Sequence, residues 1–180
     1  MVKNKESYSK DSDERKIANL YENYMNTEER NKQGMEPVKK IFEKIRNINS
    51  LDELNDLYKE KTQKVRDFYS TVKASNGKSV NGDLTVGENI ADISGVRCSL
   101  DIVKNMDNPN YKDFFESYAK IWRFISTPEV LDNQIQFDVH SPSKVRVNAV
   151  LSQIDEFYTT YGITPNDKMY VKPEDRLQIW

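Results

Sequence analysis

The chain has 180 residues, 37% hydrophobic and 31% charged, with a mean hydropathy of −0.82, so it can form one compact fold or two small ones with a thin core and many solvated helical faces. Its 27 Lys+Arg against 29 Asp+Glu leave a net charge of −2, and without a positive field neither nucleic acid nor anionic lipid is an expected partner. A single cysteine, Cys98, excludes an internal disulfide, the start from Met1 to Glu6 is polar, and no run of about 18 apolar residues occurs, which makes a soluble cytoplasmic protein with no membrane segment the expectation.

Asp11 and Glu14 have capping-box spacing for a first helix with Ile17, Leu20, Tyr21, Tyr24 and Met25 on its apolar face. Gly34 stops it, and Pro37 suits the first turn of a second helix carrying Val38, Ile41, Phe42 and Ile45. The two read as a helical hairpin. Ser50 and Glu53 form another capping box and open a long helix through Leu51, Leu54, Leu57, Tyr58, Val65, Phe68 and Tyr69. Its middle, Lys59 to Lys64, is almost wholly polar, either a solvated stretch or a seam between two joined segments.

Asn76-Gly77 and Asn81-Gly82 are turn dipeptides around Lys78-Ser79-Val80, a candidate β-hairpin or tight loop. The spacing predicts that Thr85 and Glu88 cap the next helix, which runs through Ile90, Ala91, Ile93, Val96, Leu100 and Val103 to a break at Asn108-Pro109. A helix over Tyr111 to Phe124 carries an aromatic stripe, a pattern of core packing rather than of a ligand cage. Thr127-Pro128 opens a short helix, Asp138 to Pro142 forms a loop, and helices follow over Lys144 to Leu151 and Asp155 to Tyr161, the last stopped by Gly162. The tail from Ile163 carries three turn signals before Ile179-Trp180. The fold class expected is mainly α with little or no β.

Glu88 and Asp92 stand one helical turn apart on one face, and His140 is the only histidine. A hydrolytic zinc normally takes three protein ligands and a water, and the chain has no His-Glu-x-x-His. Taken alone, the acidic pair reads as a capping or solvated feature, His140 as a hydrogen-bonding loop residue, and Arg146 as a cap or a partner for a nearby carboxylate such as Asp138. Cys98 lies in an apolar-periodic stretch, the ordinary setting of a small buried thiol.

The run Val80-Asn81-Gly82-Asp83-Leu84-Thr85-Val86-Gly87-Glu88-Asn89-Ile90-Ala91-Asp92 is similar to the glutamate-bearing segment of the neprilysin-like zinc metalloendopeptidases, the neprilysin and endothelin-converting enzyme type. Asp138-Val139-His140-Ser141-Pro142 with Val145-Arg146-Val147-Asn148 resembles that family's active-site segment. Glu156-Phe157-Tyr158, Asp167-Lys168-Met169-Tyr170 and Ile179-Trp180 resemble its closing pattern. The likeness is continuous from about residue 59, with its motifs in family order. It implies the helical C-terminal part of a zincin-type catalytic domain over residues 58–180, joined to an N-terminal helical segment, residues 1–57, resembling part of the family's α lobe. The segment between them, including His-Glu-x-x-His, is absent, and its place would be the polar middle of the third helix.

By resemblance, Glu88 matches the carboxylate zinc ligand, and Asp92 matches the acid that orients a zinc-ligating histidine. His140 matches a donor to the oxyanion of the tetrahedral intermediate, and Arg146 a residue that contacts the substrate carbonyl. Trp122 matches a tryptophan near the cleft, although core packing explains it equally well. Ser94 and Ala149 stand where the family tends to have glycines, departures that could disturb close helix packing. The resemblance implies zinc and peptide substrates for the complete family member. This chain lacks the two histidine ligands and the general base, so it is expected to be a catalytically incompetent fragment that does not hold zinc tightly by itself. The alternative is a non-catalytic peptide-binding or scaffolding protein, self-associating through exposed apolar faces.

Overall fold

A computed structural model of the chain describes residues 50–179. The expected hairpin from Asp11 to Ile45, and the terminal Trp180, lie outside the described residues. The described residues fall into two units, the first ending at Glu60 and the second comprising Lys61–Ile179. In the first, Ser50 accepts the Glu53 N–H on its hydroxyl at 3.1 Å, as a capping box requires. Helix α1, Leu51–Thr71, is unbroken through its polar middle.

In the second unit, the end of α1 turns Val65 and Tyr69, both fully buried, into the core, one helical turn apart on one face. The chain then reverses through a tight loop with a single antiparallel bridge between Lys73 and Ser79. Gly77 supplies the left-handed residue of that loop, φ 80°. The hairpin alternative therefore reduces to one bridge, and the described residues contain no strand.

Helix α2, Gly82–Lys104, starts a turn earlier than the capping pattern implied. Asn81 is the N-cap and accepts the Leu84 N–H at 3.1 Å, while the Thr85 hydroxyl donates back to the Asn81 carbonyl at 2.9 Å. Gly82 serves packing as well as the turn: a Cβ there would lie 2.1 Å from the Arg66 carbonyl oxygen, because α2 begins directly against the backbone of α1. From this start, Thr85, Asn89, Ile93, Val96 and Leu100 recur at three- and four-residue spacing and are all buried, forming one inward stripe.

Helix α3, Tyr111–Ile121, is capped by Asn110 and ends before Phe124. The aromatic stripe is accordingly only partly core: Phe115 is buried, but Phe124 is 68% exposed. Thr127 caps α4, Pro128–Phe137, with Pro128 in its first turn. Helix α5, Ser143–Leu151, follows Pro142, and α6, Asp155–Tyr161, stops at Gly162 in the left-handed conformation, φ 65°. Helix α5 packs on α2, and α3 packs on α2, α5 and α6. Ala149 is buried in this core rather than disrupting it.

The tail is strapped onto this helical core by polar contacts. Arg97 donates to the carbonyls of Gln153 and Leu177 at 3.2 and 2.7 Å, and the Gln153 side chain accepts the Leu177 N–H at 2.8 Å. The Tyr158 hydroxyl accepts the Val171 N–H at 2.7 Å and donates to the Ser152 carbonyl at 2.8 Å. Arg176 lies over the Tyr158 ring, 3.6 Å from its centroid. Leu177 and Ile179 thereby reach the core. Among the described residues no helix is long and apolar enough to cross a membrane.

Two glycines in one helix should respond oppositely. Gly82→Ala is expected to cost about 1–3 kcal/mol through overpacking, read as a lowered urea midpoint. Gly95→Ala, where an added Cβ meets nothing within 4 Å, should instead stabilise by up to about 1 kcal/mol through helix propensity.

Candidate functional site

A polar contact inside the core sets the geometry of the site. Asn89 is 1% exposed, and so is Ser141. The Asn89 amide donates to the Thr85 hydroxyl at 2.9 Å, and its oxygen accepts the Ser141 hydroxyl at 2.7 Å. An asparagine so enclosed is tolerated because its hydrogen bonds are made. The consequence is positional: the loop before α5 is pinned to the middle of α2.

That pin sets His140 beside Glu88, with Nε2 3.2 Å from the carboxylate Oε2. On the other side of the ring, Nδ1 is 2.8 Å from Asp138 Oδ1. The same oxygen accepts the His140 backbone N–H at 2.8 Å. These bonds, the backbone one foremost, hold the Asp138 carboxyl below the usual carboxylate range.

One turn further along the same face of α2, Asp92 is engaged at both oxygens. Arg146 Nε and one terminal nitrogen each donate to it at 2.7 Å, a bidentate fork between side chains only 13% and 11% exposed. The guanidinium also stacks on Trp122, 3.8 Å from the ring centroid, and the Arg146 carbonyl accepts the Tyr118 hydroxyl at 2.9 Å. The bond to Asp92 holds Arg146 more firmly protonated than usual. Burial, and next the Asp92 charge, push the hydroxyls of Tyr69 and Tyr118 above the ordinary phenol range. The Tyr69 hydroxyl is buried without a hydrogen-bond partner.

The structure thus brings Glu88, Asp92, His140 and Arg146 to one region, as a helix–loop pair, Glu88 with His140, and a cross-helix pair, Asp92 with Arg146. Arg146 pairs with Asp92 rather than with Asp138, which corrects the simplest local expectation. Asp92 is not a solvated acid. The half-buried Trp122 ring underlies Arg146. Cys98 is partly buried, and desolvation raises its thiol above its ordinary value, the opposite of an activated nucleophile. The residues that escaped sequence reasoning are Asn89, Ser141, Tyr118 and Tyr69. Asn89 carried a signal, because it is a polar residue on the apolar period of α2; the others carried none.

The donor set does not complete a hydrolytic zinc centre. Glu88 and His140 Nε2 face each other at 3.2 Å, and both Asp92 oxygens are taken by Arg146. Among the described residues no group of three His, Cys, Asp or Glu is placed to hold a metal ion, and the full chain has no second histidine.

Residues 40–177 match the model of peptidase family M13. The neutral endopeptidase of Lactococcus lactis subsp. lactis is 38% identical over 141 residues, which is 77% of this chain and 22% of that protein. The neutral endopeptidase of Lactobacillus helveticus is 45% identical over 101 residues, 56% of this chain and 16% of that protein. A crystal structure of PepO from Lactobacillus rhamnosis superposes with a TM-score of 0.62 at 31% identity, covering 70% of this chain and 20% of that one. A zinc metalloprotease of Mycobacterium tuberculosis, solved with an inhibitor, gives a TM-score of 0.63 at 25% identity, covering 68% of this chain and 21% of that one. The chain therefore spans about a fifth of the length of these relatives. With the zincin-type helical fold and the motif residues assembled as described, it belongs to peptidase family M13, the family of the neprilysin-like metalloendopeptidases.

Proposed function

We propose that this chain forms the carboxylate and oxyanion side of a zinc peptidase cleft and does not hydrolyse peptides by itself. The observation that carries this reading is the pinned geometry of His140 and Arg146 across α2, in a chain with a single imidazole. In a complete family site the metal would supply Lewis-acid polarisation and an activated water, with Glu88 as this chain's ligand to it. His140, oriented by Asp138, and the cationic Arg146 would lie where negative charge develops on a substrate carbonyl oxygen.

The Asp92–Arg146 pair bears on that role. The resemblance assigns Asp92 to orienting a metal-bound histidine and Arg146 to the substrate, yet here each residue occupies the other. In this chain their interaction is a structural tie that closes the end of the site against Trp122. A second reading, a non-catalytic binding protein, draws on the exposed Phe124, Phe137 and Val139 beside His140.

A quenched-fluorescence peptide library incubated with the purified chain and zinc should show no turnover above buffer. Zinc-dependent cleavage abolished by a chelator would overturn the proposal. Asp92→Asn, which leaves the Arg146 charge poorly compensated in a mostly buried site, should cost about 3–5 kcal/mol in urea unfolding. A loss under 1 kcal/mol would show that the pair is not a structural tie.

A further inference from the structure

Helix α4 is held to the rest of the second unit by little. Leu131 is its one buried residue, no other described helix packs extensively on it, and the segments on either side, residues 123–127 and 138–142, carry neither helix nor strand. Beyond Leu131, a polar clasp fixes its position. The Asn76 amide donates to Asp132 Oδ1 at 2.7 Å, and the Lys78 ammonium lies 2.7 Å from Asp132 Oδ2, so one carboxylate on α4 takes both partners from the loop between α1 and α2. The Asn76 oxygen accepts the Lys78 N–H at 3.1 Å, which leaves the amide nitrogen for Asp132. Lys78 and Asp132 are 52% and 40% exposed, a setting in which an ion pair is weak and is screened by salt.

The clasp leaves apolar groups in water. On α4, Val130 and Phe137 form one wall of a depression whose remaining lining includes Phe124, Val139 and His140. Phe137 is 75% exposed, Phe124 68%, Val130 51% and Val139 44%. Bringing the two walls together would recover the free energy that their hydration costs. Leu131, the buried point of α4, stands next to Asp132, and Phe137 lies six residues further on, about 9 Å along the helix axis. A tilt about Leu131 therefore moves Phe137 while the buried contact stays in place.

We propose that α4 is a lid on the His140 side of the second unit, latched open by the Asn76–Asp132–Lys78 clasp. Releasing the clasp lets α4 tilt about Leu131 and close Val130 and Phe137 over Phe124, Val139 and His140. Two weak and opposed effects, an exposed ion pair against partial apolar burial, give a balance that a change of salt or of one charge tips. The direction is fixed by the chemistry: screening weakens the clasp and leaves the apolar gain intact, so salt favours the closed form. The inference rests on the cleft reading only in making the lid a control of access to His140. The motion itself is measured without peptide, so the lid test and the peptidase assay fail separately.

Hydroxyl-radical footprinting of the full chain reads the motion at Phe124 and Phe137, with the exposed Met106, just beyond α2, as the reference. Asp132→Ala and Lys78→Gln should each slow oxidation of both phenylalanines about two- to fivefold relative to Met106, the scale on which an exposed ion pair shifts a two-state balance. Sodium chloride at about 1 M, where the screening length falls to about 3 Å, should slow both in the unsubstituted chain and leave Asp132→Ala unchanged. Adding Phe137→Ser to Asp132→Ala should return Phe124 to the unsubstituted rate, because the apolar gain of closure is gone. Oxidation that is unchanged or faster in Asp132→Ala, as a fraying helix would give, or slowing that persists with Phe137→Ser, would overturn the proposal. So would protection that grows with protein concentration, since a second copy and not α4 would then cover the depression.

Discussion

The Asn89 side chain, enclosed in the core between Thr85 and Ser141, is the contact on which the rest of the site depends. An unpaired amide in such a place would cost about 1–3 kcal/mol, so the loop carrying Ser141 has one low-energy position against α2. His140 precedes Ser141 and Arg146 follows it by five residues. Fixing one hydroxyl therefore fixes the ring beside Glu88 and the guanidinium beside Asp92. Directional hydrogen bonding inside the core here sets register, where apolar packing alone would let α5 slide along α2.

The two pairs have different physical characters. Asp92 and Arg146 are almost withdrawn from water, and their bidentate geometry with Trp122 beneath makes the withdrawal tolerable. Glu88 and His140 remain about two-fifths exposed, so solvent weakens their interaction. One pair ties structure together and the other faces outward, although all four residues come from only two short stretches of sequence. The unpartnered Tyr69 hydroxyl beside the inner pair shows that polar satisfaction is incomplete where α1 meets it.

Exposed apolar residues gather at the end of α3 and along α4. The stripe from Thr85 to Leu100 is buried within the second unit. Ile121, Phe124, Ile125 and Phe137 are all more than two-thirds exposed, clustered where α3 ends and α4 begins and closes. Phe124 and Phe137 line one depression with His140.

Helix placement was readable because its causes are local. Thr127-Pro128 and Gly162 act through backbone groups within a turn of themselves, and those boundaries appear where expected. The cap of α2 was misjudged because Thr85 and Glu88 have the same spacing as a capping box, while the true start is set by Gly82 fitting against the Arg66 carbonyl, a contact between two helices. The aromatic helix was read as core throughout, yet it stops at Ile121, and no pattern within the segment marks which aromatics find neighbours. Family membership was legible from the motifs, since residue type and order carry it. What the sequence by itself determined is this set of helices and the chemical groups they carry, because capping and periodicity act over one or two turns. Only the tertiary structure decided the pairing: Arg146 reaches Asp92 across 54 positions and not Asp138 eight residues away, because Asp138 is already committed to His140 and α5 is held across the face of α2.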